Sequence, residues 1–504
     1  MLRPWDFKIV VNRKARAAVY LQIAHAIIEE IRRGRLAPGS VLPGTRELAE
    51  SLSINRKTVI QAFDELVAQG WVTTDGTRGT FVSSHLPTVD TSRNGRNGAR
   101  EPKRTGMPSQ PDFQIRGSGP DLSLQLAGKG MLAFDDGAPD TRLLPVNQLA
   151  RAYRHAVVSS ARANRLGYGD PRGTETLREA VSTMLNVDRG LTTTPDNICI
   201  TRGSQMAIYL AARMLVGPGD TVVVEELSYP PAREAFRAAG ATVVGVGLDE
   251  KGMNIEELEK LCRRRRVRAV YVTPHHQFPT TVLMKPERRL RLLALADQFG
   301  FAIVEDDYDH EFHFAHQPLL PLASVDLWGK VFYIGSMSKL IAPSLRLGYI
   351  AAPVPVVDRA AAEIMLIDRQ GDPATEMAIA EMMEQGDVHR HTRKVLRVYE
   401  ERREILAELL RINLGDLVNF ILPEGGLALW LRFSAEIDPD ELIEEAARGR
   451  LRLISGRTLS TSGSPVAGTR LGFASLGRSE LAEGVSRLTK AIKKATTTRR
   501  TPSR

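Results

Sequence analysis

The chain has 504 residues, 43% of them hydrophobic and 25% charged, with a net charge of +9, which suits a globular protein of more than one domain. No apolar run approaches the roughly 20 residues that a membrane span needs, and charges and a Trp interrupt Met1–Val10 where a secretory leader would be apolar. Only Cys199 and Cys262 are present, which argues against a disulfide framework or a cysteine-built metal centre and leads us to expect a reducing cytoplasm.

The charge is unevenly spread. Residues 1–85 hold 12 Lys/Arg against 8 Asp/Glu, residues 86–117 hold 6 against 3, and residues 490–504 hold 6 against none, leaving the body between them mildly acidic. Such asymmetry suits a polyanion partner at the front end, although basic termini also aid solubility.

At the front, Leu21, Ala24, Ile28 and Ile31 recur at spacings of three and four, and Gly34 stops that helix. Turns at Pro38-Gly39 and Pro43-Gly44 precede a short helix from Thr45 to Leu52. Asn55 can cap a third helix with an apolar face of Val59, Phe63, Leu66 and Val67. Trp71–Thr73 and Gly79–Val82 read as strands of a hairpin around Asp75-Gly76. Three helices and a hairpin in this order make a winged helix-turn-helix. Gly34-x-Leu36-x-Pro38-Gly39, Leu42-Pro43-x-Thr45-Arg46-Glu47-Leu48-Ala49, Asn55-Arg56-x-Thr58-Val59 and Gly79-Thr80-Phe81-Val82 resemble the GntR family of bacterial regulators over residues 19–82, with Gly44 and Asn55 where that family usually has Ser.

A recognition helix places its first turns in the major groove, where Arg can bond guanine bidentately. Arg56 and Lys57 lie on that turn, and Arg46 lies near the start of the preceding helix. Thr45 and Thr58 suit phosphate oxygens, while Arg78 and Gly79 present the wing to flanking DNA. The expected partner is a double-stranded DNA operator. Residues 1–85 form this domain, and residues 86–117, rich in Pro, Gly, Ser, Asn and Arg, read as a flexible linker.

In residues 118–504, seven β-rich runs alternate with helical segments: 198–201, 221–225, 241–246, 269–273, 301–305, 331–334 and 347–351. The pattern implies an α/β fold with a mostly parallel sheet, whose ligands bind beyond the carboxyl ends of its strands. Candidates gather at those ends. Lys339, in Ser336-Met337-Ser338-Lys339, can hold an aldehyde cofactor as a Schiff base, with Ser336 and Arg346 clamping its phosphate. Asp306 can pair with a protonated pyridine nitrogen and Tyr308 can donate to the ring oxygen. Backbone N–H groups at Ser204 and Gln205 open a helix toward a phosphate, and Tyr229 can stack on the ring.

Together with Tyr168-Gly169-x-Pro171-x-Gly173 and Arg470-Leu471-Gly472-Phe473, these residues resemble fold-type I aminotransferases over 130–490, and the whole chain resembles the MocR subfamily of GntR regulators. That resemblance implies pyridoxal 5′-phosphate on Lys339, with Asp306 as pyridine partner, Arg346 as phosphate ligand and Tyr229 as stacking ring. It implies Arg470 as the carboxylate clamp for a small amino-compound effector. Tyr168 would reach a neighbouring subunit's phosphate in a homodimer. The chain departs from the aminotransferase pattern at Phe278-Pro279-Thr280-Thr281, where Asn is usual at the first position, so Gln277 or His276 would have to replace its bond to the cofactor. Asp306 and Tyr308 are also one residue closer than usual. These departures favour sensing over turnover; an active aminotransferase with a DNA-binding anchor, or a sensor of the cofactor itself, are the alternatives. His275 and His276 lack a third ligand at metal-site spacing, and Arg263–Arg266 reads as a solvated helix end.

Overall fold

The computed structural model describes residues 9–13, 17–76, 78–87, 113–114, 130–314 and 319–498. The chain divides into two compact units, Met1–Gln114 and Ile115–Arg504. The expected linker lies outside the described residues apart from 86–87 and 113–114. No helix among the described residues is long and apolar enough to cross a membrane.

In the first unit, helices Val19–Arg32, Thr45–Ser51 and Arg56–Ala68 precede an antiparallel hairpin of Val72–Asp75 and Gly79–Val82, paired from Val72↔Val82 to Asp75↔Gly79. The helices bury Ile23, Ala24, Ile27, Ile28, Ile31, Leu48, Val59, Ala62, Phe63 and Leu66 against Trp71, Val72 and Val82. Two positions differ from the expected faces. Val67 is 39% exposed and Leu21 is half-buried, because Ala62 and Ile23 turn toward the core in their place. The Asn55 side chain caps the third helix by accepting from Lys57 N–H at 2.8 Å.

All seven β-rich runs of the second unit enter one sheet, in spatial order Ile198–Thr201, Gly348–Ala351, Val331–Ser336, Ala302–Asp307, Val267–Val272, Thr221–Glu225 and Thr242–Val246. Gly348–Ala351 is antiparallel to both neighbours and the other pairings are parallel. Side chains alternate between two cores: Val223, Val270, Ile303 and Tyr333 on one face, and Val222, Val224, Tyr271, Val304 and Ile334 on the other. A smaller three-stranded sheet, Val418–Asn419, Ala428–Phe433 and Gly468–Gly472, has its own core with helices Asp387–Leu414, Pro439–Arg448 and Arg478–Thr498.

One contact fixes the rim of the large sheet. Gly348 lies so close to the start of helix Ser204–Leu215 that a Cβ there would sit 2.7 Å from the Gly203 carbonyl carbon and the Ser204 nitrogen. Backbone on both sides leaves nothing flexible to yield. Gly348→Ala is therefore expected to destabilise the folded chain by about 1–3 kcal/mol, seen as a lower melting temperature; an unchanged melting temperature would show that strand and helix separate freely.

Candidate functional site

The carboxyl ends of the parallel strands bring most of the expected cofactor residues onto one rim. Asp306, 4% exposed, points from its strand to the face that carries Tyr271, whose hydroxyl donates to Oδ2 at 2.7 Å. Its other oxygen, Oδ1, is buried with no hydrogen-bond partner. Burial pushes this carboxyl up to about 7, against the pull of the Tyr271 hydroxyl and the Lys339 ammonium. Lys339 Nζ lies 4.4 Å from the centre of the Tyr308 ring.

Arg346 carries its guanidinium against Gly203, where a Cβ would approach it to 2.7 Å, and donates to the Arg202 carbonyl at 3.1 Å. Gly203 is the N-cap of helix Ser204–Leu215 and supplies no side-chain cap, so N–H groups of Ser204 and Gln205 face this guanidinium's neighbourhood. Ser336 Oγ accepts the Ser338 N–H at 3.2 Å, while Ser338 Oγ is buried without a partner. Ser338, not singled out from the sequence, thus offers a free hydroxyl, whereas that of Ser336 already accepts a backbone N–H.

Tyr229 packs edge-on to Phe278 at 5.1 Å, and Phe278 lies 6.4 Å from Tyr308. The short spacing does not keep Tyr308 from the rim: its hydroxyl donates to the His276 carbonyl at 2.8 Å and receives Arg470 Nη2 at 3.2 Å. Arg470, fully buried, also donates to the carbonyls of Asp136 and Pro279, each at 2.9 Å. Both proposed substitutes for the usual Asn are already engaged, Gln277 through its whole amide and His276 through one ring nitrogen. Gln277 donates to Glu225, Leu227 and Phe278 and accepts from Thr280, and His276 Nδ1 bonds Asp309 at 2.8 Å. Buried Glu225, pushed up to about 8, recruits the Gln277 amide from across the sheet. Tyr168 does not join the rim within one chain: it is 81% exposed, with the Arg369 guanidinium 4.7 Å from its ring centre.

The fold also supplies what was missing beside His275. His310 and His313, on the turn after Ala302–Asp307, bring their rings to 4.6 and 4.7 Å from that of His275. Burial depresses both His275 and His313, the latter to about 3, so these imidazoles are uncharged at neutral pH. Arg263–Arg266 are exposed as expected.

On the first unit, Arg46, Arg56, Lys57, Arg78 and Gly79 are exposed, and Thr45 and Thr58 are half-buried. Arg56 Nε donates to Thr45 Oγ1 at 3.1 Å, tying the first turn of the third helix to the start of the second. Arg46, Arg56 and Thr58 line an open groove of about 650 Å³ together with Arg13. Arg13 was not foreseen; it precedes the first helix in sequence and is held there by donating to the Ser53 carbonyl at 2.8 Å.

The Asp306 carboxyl gives a pH-dependent expectation for the cofactor-free chain. Its raised value means that the folded chain keeps a proton which the unfolded chain releases near pH 4. The stability it contributes is complete below that pH and lost as pH rises through about 7. Asp306→Asn should therefore gain melting temperature relative to wild type as pH is raised from about 5 to 7.5. The comparison must be a difference, because the depressed His275 and His313 act in the opposite sense. A pH-independent difference would mean that Asp306 is already ionised.

Comparison with known proteins matches both units to known families. Residues 129–488 match the aminotransferase class I and II family, and residues 19–82 match the bacterial regulatory proteins of the gntR family. The chain is 31% identical over 486 residues to the probable rhizopine catabolism regulatory protein MocR of Rhizobium meliloti, covering 96% of each. It is 29% identical to the HTH-type transcriptional regulator TauR of Rhodobacter capsulatus, over 94% of this chain and 96% of that protein. Among solved structures, the α-aminoadipate aminotransferase LysN of Thermus thermophilus, complexed with N-(5′-phosphopyridoxyl)-L-leucine, aligns with a TM-score of 0.69 at 28% identity, over 73% of this chain and 94% of that one. A GntR helix-turn-helix and an aminotransferase domain, matched end to end by such relatives, place the chain in the MocR subfamily of GntR-type transcriptional regulators.

Proposed function

We propose that this regulator holds pyridoxal 5′-phosphate at the sheet rim and senses a small amino compound there, altering how its winged helix engages a double-stranded operator. The observation that carries this reading is Asp306 Oδ1, a buried acceptor without a partner, on the same rim as the Lys339 amine and the uncapped helix start beside Arg346. An orphan acceptor costs about 1–3 kcal/mol in a folded protein, and a pyridinium N–H would satisfy it. Asp306 would hold the ring nitrogen and Lys339 would bond the aldehyde. Arg346, Ser336 or Ser338, and the Ser204 and Gln205 N–H groups would bind phosphate, while Tyr229 and Tyr308 flank the ring. When bound, the cofactor supplies an aldehyde that captures amines and a ring that withdraws electrons.

Arg470 is proposed to clamp an effector carboxylate through the edge of its guanidinium beside Tyr308. Exposed Tyr168 supports a homodimer in which it completes the phosphate site of the neighbouring subunit. The engagement of the Gln277 amide by Glu225 and Thr280, and of His276 Nδ1 by Asp309, favours sensing, since the amide that most resembles the usual Asn is not left to steady a cofactor oxygen during turnover. Repeated transamination with a keto acid would favour the second reading, an aminotransferase carrying a DNA-binding anchor. An effector can move the DNA equilibrium only as far as its affinity differs between the two states.

Two measurements test this function. Incubation with pyridoxal 5′-phosphate should colour the full chain yellow, and borohydride reduction with peptide mapping should place the label on Lys339; a label on another lysine would overturn the assignment. Arg56→Ala should weaken operator binding by about 1–3 kcal/mol and relax sequence preference, as expected for a guanine contact. Thr58→Ala should weaken binding with preference intact. Wild-type operator affinity in Arg56→Ala would remove this docking geometry.

A further inference from the structure

Beyond the cofactor rim, the structure gathers imidazoles. His275 follows the strand Val267–Val272, and His310 and His313 follow Ala302–Asp307. One ligand nitrogen from each lies within 4.8 Å of the others, the only such grouping of three or more potential metal ligands among the described residues. The ring centres of His310 and His313 are 5.3 Å apart.

The nitrogens are not spent on one another. His275 Nδ1, in a residue 3% exposed, has no hydrogen-bond partner, and neither has His313 Nε2. His310 Nδ1 pairs with Asp307 Oδ2 at 2.8 Å, which directs its Nε2 elsewhere. A carboxylate behind an imidazole fixes its tautomer and strengthens its other nitrogen as a metal ligand. Asp307 is itself held by the Tyr333 hydroxyl at 2.7 Å, with Arg189 at 3.9 Å. Buried polar atoms are nearly always satisfied, so two nitrogens without partners, in rings clustered with a third, carboxylate-backed one, point to a common partner that accepts lone pairs.

A proton cannot serve three buried rings, whereas a borderline divalent cation binds neutral imidazole. Access exists: His275 and His313 line a cavity of about 360 Å³ shared with His276, Glu250, Trp430 and Arg432. We propose that His275, His310 and His313 form a three-imidazole Zn²⁺ site, with the fourth coordination position open to this cavity. Tetrahedral coordination at about 2.0–2.1 Å requires nitrogens about 3.3 Å apart, so the ion would draw together three nitrogens that now lie within 4.8 Å of one another. The ion would lie on the Asp307 side of the strand, with Asp306 serving the rim from the other side.

The test is calorimetric titration of the full chain with Zn²⁺, any affinity tag removed, after chelator treatment and buffer exchange. One saturable site per chain is expected, with a raised melting temperature at saturation. His310→Ala and the half-buried His313→Ala should each weaken Zn²⁺ binding by at least 10–100-fold, the loss typical when even an outer-shell partner is removed. The exposed His389→Ala should bind as wild type does. Circular dichroism of the metal-free variants separates lost ligation from lost folding, and His313→Ala serves if His310→Ala unfolds. Absence of a saturable site in the wild type, or its persistence in a folded His310→Ala/His313→Ala double variant, would overturn the proposal.

Discussion

Three consecutive carboxylates, Glu305, Asp306 and Asp307, end the central strand with exposures of 1, 4 and 2%. Burying a charge costs several kcal/mol unless partners replace its water, so the surrounding structure is organised around supplying them. Strand alternation sends the three to opposite faces. Glu305 receives the Leu322 and Ala323 N–H groups, at 2.8 and 2.9 Å. Asp307 takes His310 and Tyr333, and is held well below the usual carboxylate range, despite its burial, chiefly by His310, with Arg189 adding to it. Asp306 and Asp307 each keep one buried oxygen without a partner, and that of Asp306 lies on the rim it shares with Lys339.

The strands of the large sheet were legible because each is a short, branched, apolar run bounded by turns or Gly. Their ends shifted where a charge disguised a strand residue. Val267 and exposed Arg268 belong to the strand that the sequence reading began at Ala269, since Arg268 projects outward to the Leu215 carbonyl while its backbone remains in the sheet. The placement of Lys339, Asp306 and Arg346 at the sheet rim was legible from local motif. What local motif could not convey was competition: Gln277 looks available until Glu225, 52 residues away, claims its amide. The histidine nest was hidden for the same reason. His275 and His310 are joined by parallel pairing of Ala269 with Ala302, a relation absent from local spacing.

Arg470 shows how parts distant in sequence share one responsibility. Its guanidinium spans Asp136, Pro279 and Tyr308, contacts separated by 334, 191 and 162 residues. It reaches them from the smaller sheet, through the strand Gly468–Gly472, while Tyr308 and Pro279 belong to the larger sheet's rim. A displacement of one sheet against the other must therefore remake these bonds, and packed interfaces of this kind change between discrete arrangements. The proposed effector site thus coincides with a mechanical joint inside the second unit.

The bond from Arg56 to Thr45 carries a different consequence. A free arginine samples many rotamers, and immobilising such a side chain at an interface costs about 0.5–1.5 kcal/mol. Thr45 restricts Arg56 during folding, so part of that entropic loss precedes any encounter with DNA. On the proposed docking, Thr45 would influence base discrimination without touching a base: a threonine to alanine change there would loosen the reading head as well as remove a phosphate contact. Pre-organisation places specificity in a residue that a census of direct base contacts would count as neutral.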